Sequence, residues 1–142
     1  MVKRRKKSEG FTLIELLLVV VIIGILAAIV VPKLAGRGED AKKAAASGDI
    51  KSLSTALTMY EVDNQMYPTT DQGLAALLQK PGGAPEPKTW KGPYLQNQTE
   101  VPLDPWGNPY VYLRPGVKNT TGFDLFSAGP DAQPGTQDDV EK

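Results

Sequence analysis

The stretch GFTLIELLLVVVIIGILAAIVVPK, residues 10–33, has one charged side chain ahead of its final lysine, Glu15. From Leu16 to Val31 it is apolar on every side, so a helix made of it offers no polar face to water. At a helical rise of about 1.5 Å per residue, the charge-free part spans roughly 24 Å and the run from Phe11 to Val31 about 31 Å. That matches a bilayer's hydrocarbon core. Upstream, Lys3, Arg4, Arg5, Lys6 and Lys7 form a basic block that should stay cytoplasmic and leave everything after Lys33 on the far side of the membrane. A secretory signal peptide fits less well, because the run is long for an h-region and no small-x-small cleavage site closes it before Pro32. A transit peptide would be amphipathic, which this run is not. A carboxylate at the edge of such a helix costs several kcal/mol unless it is paired, protonated or wet. Glu15 is therefore either a functional group or a shallow, hydrated one.

The rest of the composition excludes more than it selects. The chain has 142 residues, with 16 Lys+Arg against 16 Asp+Glu, no cysteine and no histidine. Length allows about one domain. Thiol chemistry, disulfides, imidazole bases and the usual zinc sites are absent, so any catalysis would rest on carboxylates, hydroxyls or lysines. No nucleophile is placed beside an activating base. Basic charge ahead of an apolar run points to a membrane and not to nucleic acid.

Pro32 lacks a backbone donor and would clash with the Ala28 carbonyl, so the helix should kink or open there, with Gly36 and Gly38 adding weakness. Helical spacing then resumes: Ile50, Leu53, Leu57 and Tyr60 form one apolar stripe, extended backward by Ala41, Ala44 and Ala45. Its polar side carries Lys42, Lys43, Asp49 and Lys51, a solvated face or one that meets neighbouring chains. Such a half-buried helix should pack on a sheet. Thr69 and Gln72 form a capping-box pattern for a short helix over 71–79. Residues 80–93 are a Pro/Gly loop in which Trp90 should fold back as a core anchor. Residues 104–114, DPWGNPYVYLR, read as a turn feeding a strand, and 123–129, FDLFSAG, as its antiparallel partner. Trp106, Tyr110 and Tyr112 are packing residues in this reading.

The tail SAGPDAQPGTQDDVEK, residues 127–142, gathers Asp131, Asp138 and Asp139 around Pro134 and Gly135, which can turn the backbone back on itself. A hard cation would relieve the repulsion, and calcium tolerates the flexible mixture of carboxylates and carbonyls that a loop supplies. The segment is not an EF-hand. On spacing alone, a frayed acidic tail and a calcium loop stay equally open.

Gly10, Phe11, Thr12, Leu13, Ile14 and Glu15, followed by the apolar run, resemble the type IV pilin and pseudopilin N-terminus. YEVDNQMYPTTDQGLAAL, the Trp-Lys-Gly-Pro-Tyr-Leu stretch from Trp90, DPWGNPY and the acidic terminus together resemble the major pseudopilins of the type II secretion system, over nearly the whole chain. The resemblance implies an α+β, pilin-like fold: a long transmembrane and stalk helix packed on a small C-terminal domain with a short antiparallel sheet and a calcium-binding loop. It implies a leader at 1–10 cut by a prepilin peptidase between Gly10 and Phe11, an assembly helix at 11–33, a stalk helix at 34–63 and a periplasmic body at 64–142. Phe11 would be N-methylated, and Glu15 would pair with such an amine during assembly, beside a helix weakened at Pro32. One structural calcium would be held by side chains of Asp131, Asp138 and Asp139 and carbonyls of Ala128 and Gln133.

As a single-pass inner-membrane protein, it would polymerise with its own copies through the N-terminal helices into a periplasmic pseudopilus. Minor pseudopilins and an inner-membrane assembly platform would be its partners. Without residues 1–10, the chain keeps 11 basic and 15 acidic side chains. The rivals are a type IV pilin or competence pseudopilin, against which the missing cysteine pair argues, and a membrane-anchored periplasmic metal-binding module or enzyme.

Overall fold

The structure, a computed structural model, describes residues 10–141, without the side chains of residues 31–36. The basic block at 3–7 and the side chain of Pro32 lie outside the described residues. Helix α1 spans Leu13–Asn64, so one element carries both segments expected at 11–33 and 34–63. The backbone stays helical through Pro32, so the expected opening does not occur, and the cost there is the hydrogen bond that the missing N–H would have donated to the Ala28 carbonyl. The chain divides into two units, one ending at Glu39 and the other running from Asp40 to its end.

In the first unit the apolar side chains are exposed, from Phe11 at 82% to Val30 at 50%. Leu13–Val30 is long and apolar enough to cross a membrane. In the second unit α1 presents Ala46, Ile50, Leu53, Leu57 and Tyr60 to the core, all buried. Ala46 continues the stripe at a spacing of four before Ile50, whereas Ala41, Ala44 and Ala45 lie on the exposed side, contrary to the sequence reading. The polar side is not wholly solvated either. Asp49 Oδ2 accepts the Tyr110 hydroxyl at 2.8 Å, and Lys42 Nζ lies 6.0 Å from the Trp106 ring centroid.

Against this helix pack β1, Val111–Leu113, and β2, Asp124–Phe126, an antiparallel pair in the register Val111↔Phe126, Tyr112↔Leu125, Leu113↔Asp124. Tyr112 and Leu125 face each other across the pair and point into the core. The expected helix over 71–79 is a 3-10 turn, Leu74–Leu77. Its capping box forms, with the Thr69 N–H donating to Gln72 Oε1 at 3.0 Å and the Gln72 N–H to Thr69 Oγ1 at 3.2 Å. Gly73, at φ 56° and ψ −165°, then leaves helical geometry, so the box closes a turn in place of an α-helix. Trp90 folds back as expected, its Nε1–H on the Ala76 carbonyl at 3.0 Å and its ring edge-on to Tyr94.

Candidate functional site: the helix start and the C-terminal loop

Two regions carry the residues singled out above. At the start of α1 the Thr12 N–H and hydroxyl both donate to Glu15 Oε2, at 2.9 and 2.8 Å, and the Glu15 N–H donates back to Thr12 Oγ1 at 3.3 Å. This is a capping box, with Thr12 at the N-cap and Glu15 three residues on. The sequence reading singled out Glu15 but missed Thr12, although Thr-x-x-Glu before an apolar run is the signal that would have found it. Glu15 thus has a local role in this chain before any partner arrives. Gly10 and Phe11 precede the helix in exposed, non-helical backbone.

The C-terminal loop is built by its backbone. Gly129 has φ 66°, and a Cβ there would stand 2.6 Å from the Asp138 carbonyl oxygen and 3.0 Å from Asp138 Oδ2. The two ends of the loop are thereby brought together at a residue that must be glycine. Beyond it Val140 pairs with Ser127 in an antiparallel bridge, N–H to carbonyl at 2.9 and 3.0 Å. A frayed tail is ruled out over the described residues, since the segment is tied back beside β2.

Within the loop, the Gln133 N–H donates to Asp131 Oδ1 at 2.9 Å, the Gly135 N–H to Asp139 Oδ2 at 2.8 Å, and the Thr136 hydroxyl to Asp138 Oδ1 at 2.5 Å. The same hydroxyl lies 3.2 Å from the Gln133 carbonyl and 3.4 Å from Asp139 Oδ1. The Thr136 hydroxyl holds the Asp138 carboxyl below its ordinary range, against a smaller opposing effect of desolvation. Asp138, Asp139 and the Gln133 carbonyl therefore converge on one hydroxyl, whereas Asp131 is exposed and turned to its own loop. Among the described residues no group of three acidic side chains stands close enough to hold an ion as it is. The donor set nevertheless fits a hard cation: it consists of oxygens on a loop that Gly129 has already closed. To hold an ion, the carboxylates would have to turn from N–H groups and Thr136 toward a common centre.

The chain matches the family Type II secretion system (T2SS), protein G over residues 33–142, and the prokaryotic N-terminal methylation motif over residues 5–31. It is 53% identical over 136 residues to the type II secretion system core protein G of Pseudomonas aeruginosa, covering 95% of this chain and 92% of that relative. Identity to the protein of the same name from Escherichia coli is 47% over 135 residues, 94% and 90% of the two chains. The crystal structure of the major pseudopilin from the type 2 secretion system of enterohaemorrhagic Escherichia coli superposes with a TM-score of 0.67 at 41% identity, covering 75% of this chain and 87% of that one.

Proposed function

The chain belongs to the type II secretion system protein G family, the major pseudopilins, and on that premise we propose that it polymerises into a periplasmic pseudopilus supporting export of folded proteins across the outer membrane. The observation that carries this reading is the wholly exposed apolar helix Leu13–Val30 ahead of a body with its own core. Such a helix needs lipid before assembly and neighbouring helices after it. The match over 33–142 favours this role over a type IV pilin, a competence pseudopilin or an anchored metal-binding module, because the N-terminal motif alone is common to the wider class. The subunit carries no reaction of its own.

In this reading the precursor sits in the inner membrane with its N-terminus cytoplasmic and its body periplasmic, as the basic block directs. A prepilin peptidase cuts between Gly10 and Phe11, and methylation of the new Phe11 amine leaves its positive charge. Glu15 lies four residues on, in the first turn of α1, where that amine or a neighbour's can neutralise it in apolar surroundings. Minor pseudopilins and the assembly platform contact the same helices, and the platform drives their extraction from lipid.

One structural calcium belongs to the same reading. Side chains of Asp131, Asp138 and Asp139 and carbonyls of Ala128 and Gln133 would hold it, closing a loop with little apolar surface in a chain that cannot form a disulfide. The test of the function is the intact mass of the protein from its native membrane, with and without the prepilin peptidase. A chain beginning at methylated Phe11 only when the peptidase is present is expected; an uncut chain in both strains rejects the pathway.

A further inference from the structure

Asp104 is 4% exposed and lies outside both regions described so far. Its Oδ1 accepts the N–H groups of Trp106 at 3.1 Å and Asn108 at 2.8 Å, which folds residues 104–108 into a tight turn. Its Oδ2 accepts the hydroxyl of Ser127, a fully buried residue, at 2.6 Å. A buried carboxylate is costly unless its oxygens are hydrogen-bonded, and here both oxygens are engaged by neutral donors. Ser127 is in turn the stem of the C-terminal loop. Its Oγ accepts the Gly129 N–H at 3.1 Å, and its N–H and carbonyl make the bridge to Val140. Asn108, in the same turn, donates from Nδ2 to the Gly129 carbonyl at 3.2 Å. Two residues after Asn108, Tyr110 reaches Asp49 on α1. Hydrogen bonds thus join the 104–108 turn to both ends of the acidic loop, and the backbone from Asn108 to Tyr110 carries that turn on to the stalk helix.

We infer that Asp104 is a positioning residue for this loop: through Ser127 and Asn108 it holds the loop's stem so that the oxygens beyond it converge, and it thereby sets calcium affinity without touching the ion. The effect on affinity rests on the calcium reading above; the hold on the stem does not.

Asp104→Asn keeps the side chain's shape and its acceptor for the turn, but turns an NH2 group toward the Ser127 hydroxyl, which loses its acceptor. Ser127→Ala removes the same bond from the other side, together with the acceptor of the Gly129 N–H. Calcium chloride titrated calorimetrically into the full chain in detergent micelles should bind about tenfold more weakly in Asp104→Asn and at least as much more weakly in Ser127→Ala, and the double variant should bind no more weakly than Ser127→Ala, which already lacks the bond between the two residues. Hydrogen exchange in EDTA should quicken at the Ser127, Gly129 and Val140 amides in Asp104→Asn while residues 50–60 of α1 keep their protection. Wild-type calcium affinity in both single variants, with only the melting temperature lowered, overturns the effect on affinity. Unchanged exchange at the stem overturns the positioning role itself. A wild-type chain that takes up no calcium overturns the calcium reading and the effect on affinity with it, and leaves the exchange experiment to judge the stem alone.

Discussion

Gly129 shows how one residue can make a loop possible. Its φ of 66° is rarely adopted by other residues, and its missing Cβ lets the Asp138 backbone approach. Gly129→Ala should therefore cost about 1–3 kcal/mol from the backbone strain, plus whatever the displaced Asp138 carbonyl adds, read as a lower melting temperature. Asp124 does comparable work in the hairpin connection, where its carboxylate accepts the N–H groups of Val117 at 2.6 Å, Lys118 at 2.7 Å and Asn119 at 2.9 Å. These bonds, that from Lys118 first, hold its carboxyl below the ordinary value. A carboxyl depressed in the folded state contributes stability above its unfolded value and loses it as pH falls through the folded one. Wild type should accordingly lose stability more steeply than Asp124→Asn below about pH 4, as melting curves taken across that range will show.

At the scale of elements, α1 is one helix doing two jobs. Its second half is held by the buried stripe, and Leu57→Ala should destabilise the body by about 2–5 kcal/mol in urea titrations of the full chain. A loss under 1 kcal/mol, on the same order-of-magnitude footing, would mean that the site collapses to fill the space. Its first half has no packing of its own, so its start depends on the Thr12–Glu15 capping box. Thr12→Ala should weaken the first turn by about 1 kcal/mol, visible as faster amide exchange over residues 13–16 in micelles. Glu15→Gln, which can still cap, separates the two roles of that side chain: the first turn should persist while cross-linked pseudopilus assembly in cells is lost.

For the whole molecule, Gly129, the Ser127–Val140 bridge and the hydrogen bonds of Asp104 close the acidic loop, and the proposed calcium would add to that closure. Adding excess EDTA should lower the melting temperature of the wild-type chain, and calcium but not magnesium should restore it, because a loop of carboxylates and carbonyls suits calcium's larger, flexible shell. A melting temperature indifferent to both would remove the ion from the account.

The apolar run, the stripe Ile50–Leu53–Leu57–Tyr60 and the two strand segments were all legible in the sequence, since each is a local pattern whose period names its own structure. So was the N-terminal motif, though its Thr12 partner was overlooked. Other features depend on what meets what in space. The burial of Ala46 in place of Ala44 and Ala45 depends on which side of α1 the body covers, and the 3-10 turn at Leu74–Leu77 on Gly73 departing from helical geometry. The return of Val140 to Ser127 and the placing of Asp104 under the loop join residues 13 and 23 positions apart in the chain. No periodicity reports such pairings. They arise because a buried polar group must find a partner, and packing alone determines which one is within reach.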